Sequence, residues 1–358
     1  MLDIGGQVFL GTQQHDGLSH LVPARRTPVA MDVGILAQGE VVVDDAIPFI
    51  EEVLEPWFTV RYVKGDEISP DDVHDAVALI VRTRTKCNAP LLSSSSVELV
   101  ASATIGTDHI DFGYCLSKGI SVKNAPGCNS GGVCQYVFAA LREFGINGGT
   151  LGVVGTGHVG TKVAARGREL GFNVLCNDIV PTDINNVALG QLLAESDVVT
   201  VHIPLKSVFG SEPQYDNDRF VGASFFSAMK TGAAFINASR GEVMDDEAFL
   251  ASRYRLGKVA LDVWRNEPDI DKRILAAADI ATPHIAGYSI QGKINGTQAA
   301  VRAVGEHFGI PELTEFTVTA PMPPVVPYDI MADDRNLRLN PSSFELLRSH
   351  YNYRDDSL

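Results

Sequence analysis

The sequence predicts an α/β protein built on parallel sheets, and three observations carry that expectation. Apolar, β-branched runs alternate with stretches of helical period from about Val41 to Gly287. Several of those runs, such as AVALIVRT (76–83) and DVVTVHIPL (197–205), are apolar almost throughout, as strands buried on both faces must be. One of them, TLGVV (150–154), runs straight into a glycine turn, GTGHVG (155–160), and then into a helical stretch, TKVAARGRELG (161–171).

In order, VVVDDAIPFIEEVLEPW (41–57) is read as a strand, a turn and a helix with Ile50, Val53 and Leu54 at helical spacing. AVALIVRT forms a second strand, LVASATIGTDHID (99–111) a third, and ISVKNAPG (120–127) closes the unit. GGVCQYVFAALREF (131–144) is an amphipathic helix leading into a second unit. There the glycine turn and its helix are followed by strands at FNVLCND (172–178), DVVTVHIPL, GAAFINAS (232–239), KVALDVW (258–264) and DIATPHIAG (279–287). At 358 residues the chain exceeds one ordinary domain. The expected layout is a doubly wound Rossmann domain (130–285) inserted in a second, flavodoxin-like α/β unit formed by 41–129 and a return helix in 286–310. Residues 1–40 show no period and are expected to be a disordered extension. Residues 311–358, through the proline-rich TAPMPPVVP (319–327), are expected to form a short C-terminal segment: a linker and a helix near Ser343–His350.

Composition narrows the function classes. Hydrophobic residues make up 45% and charged residues 20%, enough apolar mass for extensive cores. Acids outnumber bases 44 to 29, a formal charge of -15 that disfavours nucleic acid and anionic membranes as partners. A small anionic substrate stays open, because a pocket can concentrate a few cations. The five cysteines, Cys87, Cys115, Cys128, Cys134 and Cys176, include no CxxC pair and read as reduced, buried thiols; no metal site is expected. With no bilayer-length apolar run and no signal-peptide pattern, a cytoplasmic location is expected.

Gly155, Gly157 and Gly160 give G-x-G-x-x-G between a strand and a helix. The first permits the tight turn, the second lets backbone approach a pyrophosphate, and the third lets helix pack on sheet. A glycine pattern alone is a weak signal. Asp178, at the end of the next strand, strengthens it, because an acid about 20 residues beyond the turn accepts the ribose hydroxyls. A carboxylate there repels a 2′-phosphate, so NAD is the expected cofactor rather than NADP. The bland alternative is that Asp178 caps a turn.

Three further polar residues stand at or near the ends of apolar strands, where such sheets place their sites. Arg240 follows FINAS, Glu267 follows ALDVW closely, and His284 follows IATP. Singly, each has an ordinary reading: a surface ion pair, a loop acid, a satisfied strand-end histidine. Together, at successive strand ends of an NAD domain, they read as a reaction centre.

In the runs GTGHVG, NASRGEVMDD (237–246), ALDVWRNEP (260–268) and TPHIAGYS (282–289) the chain resembles the D-2-hydroxyacid dehydrogenase family. VDDAIPF (43–49), IVRTRTKCN (80–88), ATIGTDHID (103–111), APGCN (125–129) and HIAGYSIQGKINGT (284–297) resemble one branch of it. That branch oxidises 4-phospho-D-erythronate to 2-oxo-3-hydroxy-4-phosphobutanoate in pyridoxine and pyridoxal phosphate synthesis. The resemblance implies that His284 takes the C2 hydroxyl proton, Glu267 supports the imidazole, and Arg240 grips the substrate carboxylate. It also implies that His158 and Val159 cover the pyrophosphate. Ala238, Ser239, Asp262 and Gly287 would line the nicotinamide side, and Ile203 would meet the cofactor through its backbone. Thr83, Thr104 and Tyr288 would contact substrate, and a homodimer is implied, weakened by the short C-terminus. Arg82, Arg84 and Lys86 form an alternating basic run, ordinarily a solvated face, in which Arg82 or Lys86 is a candidate for the phosphate. Two departures stand out: Gln135 where relatives carry glutamate, and Ile203 where they often carry a polar residue. The competing readings are a dehydrogenase of glycerate or phosphoglycerate type, and an NAD-sensing binding protein of the same fold.

Overall fold

The computed structural model describes residues 39–180, 185–209, 212–320, 322 and 325–357, so the expected N-terminal extension lies almost wholly outside the described residues. The chain forms two parallel sheets. The first contains β1 (Glu40–Asp44), β2 (Thr59–Val63), β3 (Ala76–Val81), β4 (Leu99–Ser102) and β5 (Ser121–Lys123), in the order β2-β1-β3-β4-β5. Every pairing in it is parallel.

Helix α1 (Ser130–Glu143) then leads to the second sheet. Its strands are β6 (Thr150–Val154), β7 (Asn173–Asn177), β8 (Val198–Val201), β11 (Ala234–Asn237), β12 (Val259–Leu261) and β13 (Ile280–Ala281). A separate antiparallel hairpin of β9 (Lys206–Phe209) and β10 (Glu212–Asp216) follows β8. The order β13-β12-β11-β8-β6-β7 is all parallel and reverses between β6 and β8, the switch point of a doubly wound sheet. Helix α2 (His158–Glu169) connects β6 to β7. Helix α3 (Ile290–Phe308) returns to the first sheet, where Ala300, Val301 and Val304 join Val41, Val43, Ile80 and Leu99 in one core.

The structure corrects several local expectations. The helix expected within 47–57 is a series of turns, with Phe49 and Glu52 at φ of 64° and 63°. Ile50 and Leu54 are buried all the same, so the spacing tracked burial and not helical backbone. The edge strand β2 went unread because TVRYV is short and half-exposed. The expected strand 99–111 keeps only β4; residues after Ser102 leave the sheet and cross toward the second one.

The C-terminal segment holds a helix that the sequence left as linker, α4 (Ile330–Leu339), ahead of α5 (Phe344–Ser349). Both pack on the second sheet. Asp334 accepts the Ala281 amide at 2.7 Å, covering edge strand β13, and Arg338 donates to the carbonyls of Leu275 and Ala278. Leu337 and Phe344, both fully buried, enter the core with Phe226, Phe235 and Trp264. Leu337→Ala should destabilise the protein by about 2–5 kcal/mol, read as a lower urea midpoint in equilibrium unfolding, because the site cannot collapse around the lost side chain.

Candidate active site

The glycine turn is shaped by contacts that leave no room for side chains. Gly155 has φ of 87°, and a Cβ on it would stand 2.6 Å from the His202 carbonyl oxygen. A Cβ on Gly160 would fall 1.8 Å from the Gly155 oxygen, so the start of α2 can approach the turn only with glycine there. Gly157, the residue before α2, faces open space. The first amides of α2 have no partner within the helix, and they and its dipole present a phosphate-sized cradle there. Asp178 closes the far side: its Oδ2 accepts the Thr156 amide at 2.6 Å and its Oδ1 accepts the Val180 amide at 3.0 Å. The donor set and the open space before Gly157 fit a dinucleotide. Ile203 packs against the turn, its Cγ2 2.8 Å from where a Gly155 Cβ would lie.

Arg240 emerges from a tightly folded loop after β11. Asn237 accepts from the Ser239 amide at 3.1 Å and donates to the Arg240 carbonyl at 3.1 Å, while Ala238 and Ser239 stay partly open. A Cβ on Gly241 would overlap the Trp264 carbonyl, so the residue after Arg240 is glycine by contact. The guanidinium reaches across to the loop after β4. Its Nε donates to Asp108 Oδ2 at 3.1 Å, and its Nη1 donates to the Ser239 carbonyl at 2.8 Å.

Glu267 and His284 meet directly, with His284 Nδ1 2.7 Å from Glu267 Oε2. Glu267 Oε1 accepts the Trp264 amide at 3.0 Å. Burial by itself pushes the Glu267 carboxyl up, but His284 and Arg348 beside it bring it below its ordinary value. Arg348 Nη1, from α5, stands 3.7 Å from that same Oε2.

Asp262 lies deeper, 1% exposed, and its carboxylate is turned into the protein. It accepts from Thr282 Oγ1 at 2.7 Å, the Ile285 amide at 2.8 Å and the Ala286 amide at 2.9 Å. Its visible task is to hold the loop that carries His284.

The remaining predicted residues are distributed as follows. Thr104 Oγ1 lies 2.8 Å from Ser102 Oγ at the end of β4, and Thr83 is exposed beyond β3. Gly287 packs against Asn129, and His158 lies over Gly127. Val159 packs against the core on the α1 side of the sheet. Tyr288 stacks edge-on with Tyr351 and Tyr353 of the C-terminal segment. Arg82 is committed to buried Asp44 through two bonds of 2.9 and 3.1 Å. Arg84 pairs with Glu345. Lys86 is exposed in a hollow of about 350 Å³ that contains none of Arg240, Glu267 or His284. Burial pushes the Cys87 thiol up to about 12 and the Cys128 thiol up to about 11. Among the described residues no group of three or more His, Cys, Asp or Glu could hold a metal ion, and no helix is long and apolar enough to cross a membrane.

Sequence reasoning missed Asp108, the partner of Arg240, and Arg348, the neighbour of Glu267. Asp108 lies inside the run ATIGTDHID without being singled out there, and both residues reach the site through a long chain excursion. Gln135, marked as a departure, is explained by the fold. Its Oε1 accepts Arg354 Nε at 2.8 Å and its Nε2 donates to the Asp355 carbonyl at 2.8 Å, so it receives the C-terminal segment.

Comparison with known proteins defines the class. Residues 135–286 match the family model described as "D-isomer specific 2-hydroxyacid dehydrogenase, NAD binding domain". A D-lactate dehydrogenase from Aquifex aeolicus, solved with NAD and lactic acid, superposes with a TM-score of 0.65 at 25% identity, covering 80% of this chain and 99% of that one. The protein is thus an NAD-dependent oxidoreductase with a Rossmann domain. An erythronate-4-phosphate dehydrogenase from Bacteroides fragilis is 39% identical over 341 residues, covering 88% of this chain and 96% of the relative. One from Porphyromonas gingivalis is 35% identical over 344 residues, covering 87% and 92%. The chain belongs to the erythronate-4-phosphate dehydrogenase family, within the D-2-hydroxyacid dehydrogenases.

Two glycine substitutions separate cofactor binding from folding. Gly157→Ala should fold with a near-native melting temperature yet bind NADH at least about tenfold more weakly, because its methyl group enters the cradle. Gly160→Ala should lower the melting temperature itself, because its methyl group cannot fit. Fluorescence titration with NADH and thermal unfolding check the pair.

Proposed function

We propose that this protein oxidises 4-phospho-D-erythronate at C2 to 2-oxo-3-hydroxy-4-phosphobutanoate, with His284 as base, Glu267 as its partner and Arg240 as the carboxylate anchor. The observation that carries the reading is the 2.7 Å contact between His284 and Glu267 beside the glycine turn's sheet. The relatives' shared name supports the substrate.

NAD, when bound, supplies the acceptor for the C2 hydride. Gly155, Gly157, His158, Val159 and Gly160 hold its pyrophosphate, and Asp178 takes its ribose hydroxyls. Ala238, Ser239 and Gly287 flank the nicotinamide side, Asp262 acts there through the loop it holds, and Ile203 supports the turn. With Nδ1 donating to Glu267, His284 keeps Nε2 free to accept the proton of the C2 hydroxyl. Glu267 stabilises the imidazolium that results. Arg240 exchanges Asp108 for the substrate carboxylate, a planar fork meeting a planar anion, and polarises the C2 oxygen. Thr83, Thr104 and Tyr288 complete the substrate side. In this reading the enzyme is a cytoplasmic homodimer that serves pyridoxine synthesis.

NADH formation measured against 4-phospho-D-erythronate, D-glycerate, 3-phosphoglycerate and D-lactate tests the substrate. Turnover should be highest with 4-phospho-D-erythronate, and a clear preference for another acid sinks the assignment. His284→Ala should lower kcat by about 10²–10⁴-fold. Glu267→Gln removes the negative charge beside the imidazole, which disfavours the protonated ring. Its kcat for oxidation should therefore fall, and an unchanged kcat would separate Glu267 from the base.

A further inference from the structure

Three basic side chains from distant parts of the sequence gather around Tyr288. Lys293, in the first turn of α3, holds its Nζ 4.4 Å from the centre of the Tyr288 ring and 4.8 Å from that of Tyr353. Among the described residues no carboxylate forms an ion pair with it. Arg348, on α5, faces the Tyr288 phenol, and its buried Nε has no hydrogen-bond partner. Arg82 contributes from the first sheet, although its charge is balanced by Asp44. Burial alone would push the Tyr288 phenol up, yet Lys293, Arg348 and Arg82 bring it below its ordinary value.

Arg348 shares Glu345 with Arg84 and shares Glu267 with His284. Lys293 differs from Arg84 and Arg348, which are paired with Glu345 and Glu267, in having no carboxylate partner among the described residues. In a chain of net charge -15, a half-buried ammonium without an acid is a marked exception. Surface lysines usually extend into water. This one is held between two aromatic rings, one of them that of Tyr288, on the loop that follows His284. A guanidinium beside the Tyr288 hydroxyl and an ammonium over the Tyr288 ring that has no ion-pair partner among the described residues make a donor set suited to a phosphate monoester.

We infer that Lys293 and Arg348 are specificity-determining residues that, with the Tyr288 hydroxyl, receive the phosphate group of the substrate. The inference rests on the reading of the substrate as a phosphorylated 2-hydroxy acid. It shifts the phosphate away from Arg82 and Lys86, since Arg82 is already held by Asp44 and Lys86 opens on a separate hollow. It also gives the C-terminal segment a part in recognition, because α5 supplies Arg348 and the following residues supply Tyr353.

The test uses the full chain with Lys293→Met, and Arg348→Lys as a second variant that keeps charge but loses the fork. KM and kcat are measured with 4-phospho-D-erythronate and with D-erythronate, and inorganic phosphate is titrated as an inhibitor of D-erythronate oxidation. Lys293→Met should raise KM for the phosphorylated acid about 10- to 100-fold, the size of a lost charge-assisted contact, with a much smaller change in kcat. The loss with D-erythronate should be at least tenfold smaller, and inhibition by phosphate should weaken in parallel. Arg348→Lys should shift the same quantities in the same direction. Equal losses on both acids with unaltered phosphate inhibition would overturn the inference. Failure of the substrate reading looks different: the unsubstituted protein would turn over D-erythronate or another plain acid in preference to its phosphate. In that event the phosphate titration still decides the subsite, which stands if Lys293→Met weakens inhibition and falls if it does not.

Discussion

A single buried carboxylate, that of Asp262, organises the catalytic end of the second sheet. An unpaired charge at such depth would cost several kcal/mol. Burial does push its carboxyl above the ordinary value, against the pull of His284 and of its hydrogen-bond donors. Those donors, Thr282, Ile285 and Ala286, flank His284 on both sides. The bonds that solvate Asp262 therefore fix the loop. His284 itself has φ of 57°, a left-handed backbone that costs a non-glycine residue about 1–2 kcal/mol. Its amide donates to the Asp262 carbonyl at 2.7 Å, so residue 262 restrains it from the main chain as well. Held in this way, the imidazole meets Glu267.

The C-terminal segment secures the same loop from outside, and two of its arginines, Arg354 and Arg348, differ in how they are satisfied. Arg354 is saturated: it donates to the carbonyls of Gly132, Ile285, Ala286 and Tyr288, to Gln135 and to the Tyr351 hydroxyl. Such a group is structural, because every donor that lost water found a partner. Arg348 is not saturated. Its Nη1 lies between two carboxylates that already serve other cations, and its Nε is buried without an acceptor. A protein that satisfies one buried arginine so completely has the means to satisfy another, which makes the incomplete one informative.

What could be read in advance follows from how local each signal is. The glycine turn lies within six residues and Asp178 one strand beyond, so strand, turn and acid are legible as a unit. Arg240, Glu267 and His284 are far apart in sequence, yet each is tied to the end of an apolar strand, and parallel pairing brings such ends together. The turns at 45–57 misled because buried positions in irregular chain can mimic a helical period; backbone at positive φ leaves no mark on hydrophobicity. β2 and α4 were silent because half-exposed edge elements carry little apolar pattern. Asp108 and Arg348 depend wholly on tertiary contact, and no spacing rule reaches across 132 residues to pair Asp108 with Arg240.

The two anionic ends of a phosphorylated hydroxy acid pose unequal problems for so acidic a chain. Its charge of -15 is spread over the surface, where salt screens it beyond about 8 Å, so a buried cleft is governed by its nearest groups. At Arg240 an acid is already in place. A substrate carboxylate that displaces Asp108 exchanges one negative partner for another, and the charge around the guanidinium is unchanged. Beside Tyr288, Lys293 has no carboxylate to give up among the described residues, while Arg348 is shared by Glu267 and Glu345. The buried Arg348 Nε has no acceptor among those residues. On the proposed reading the C-terminal segment contributes to recognition, because it carries Arg348 to the Tyr288 phenol that Lys293 also faces.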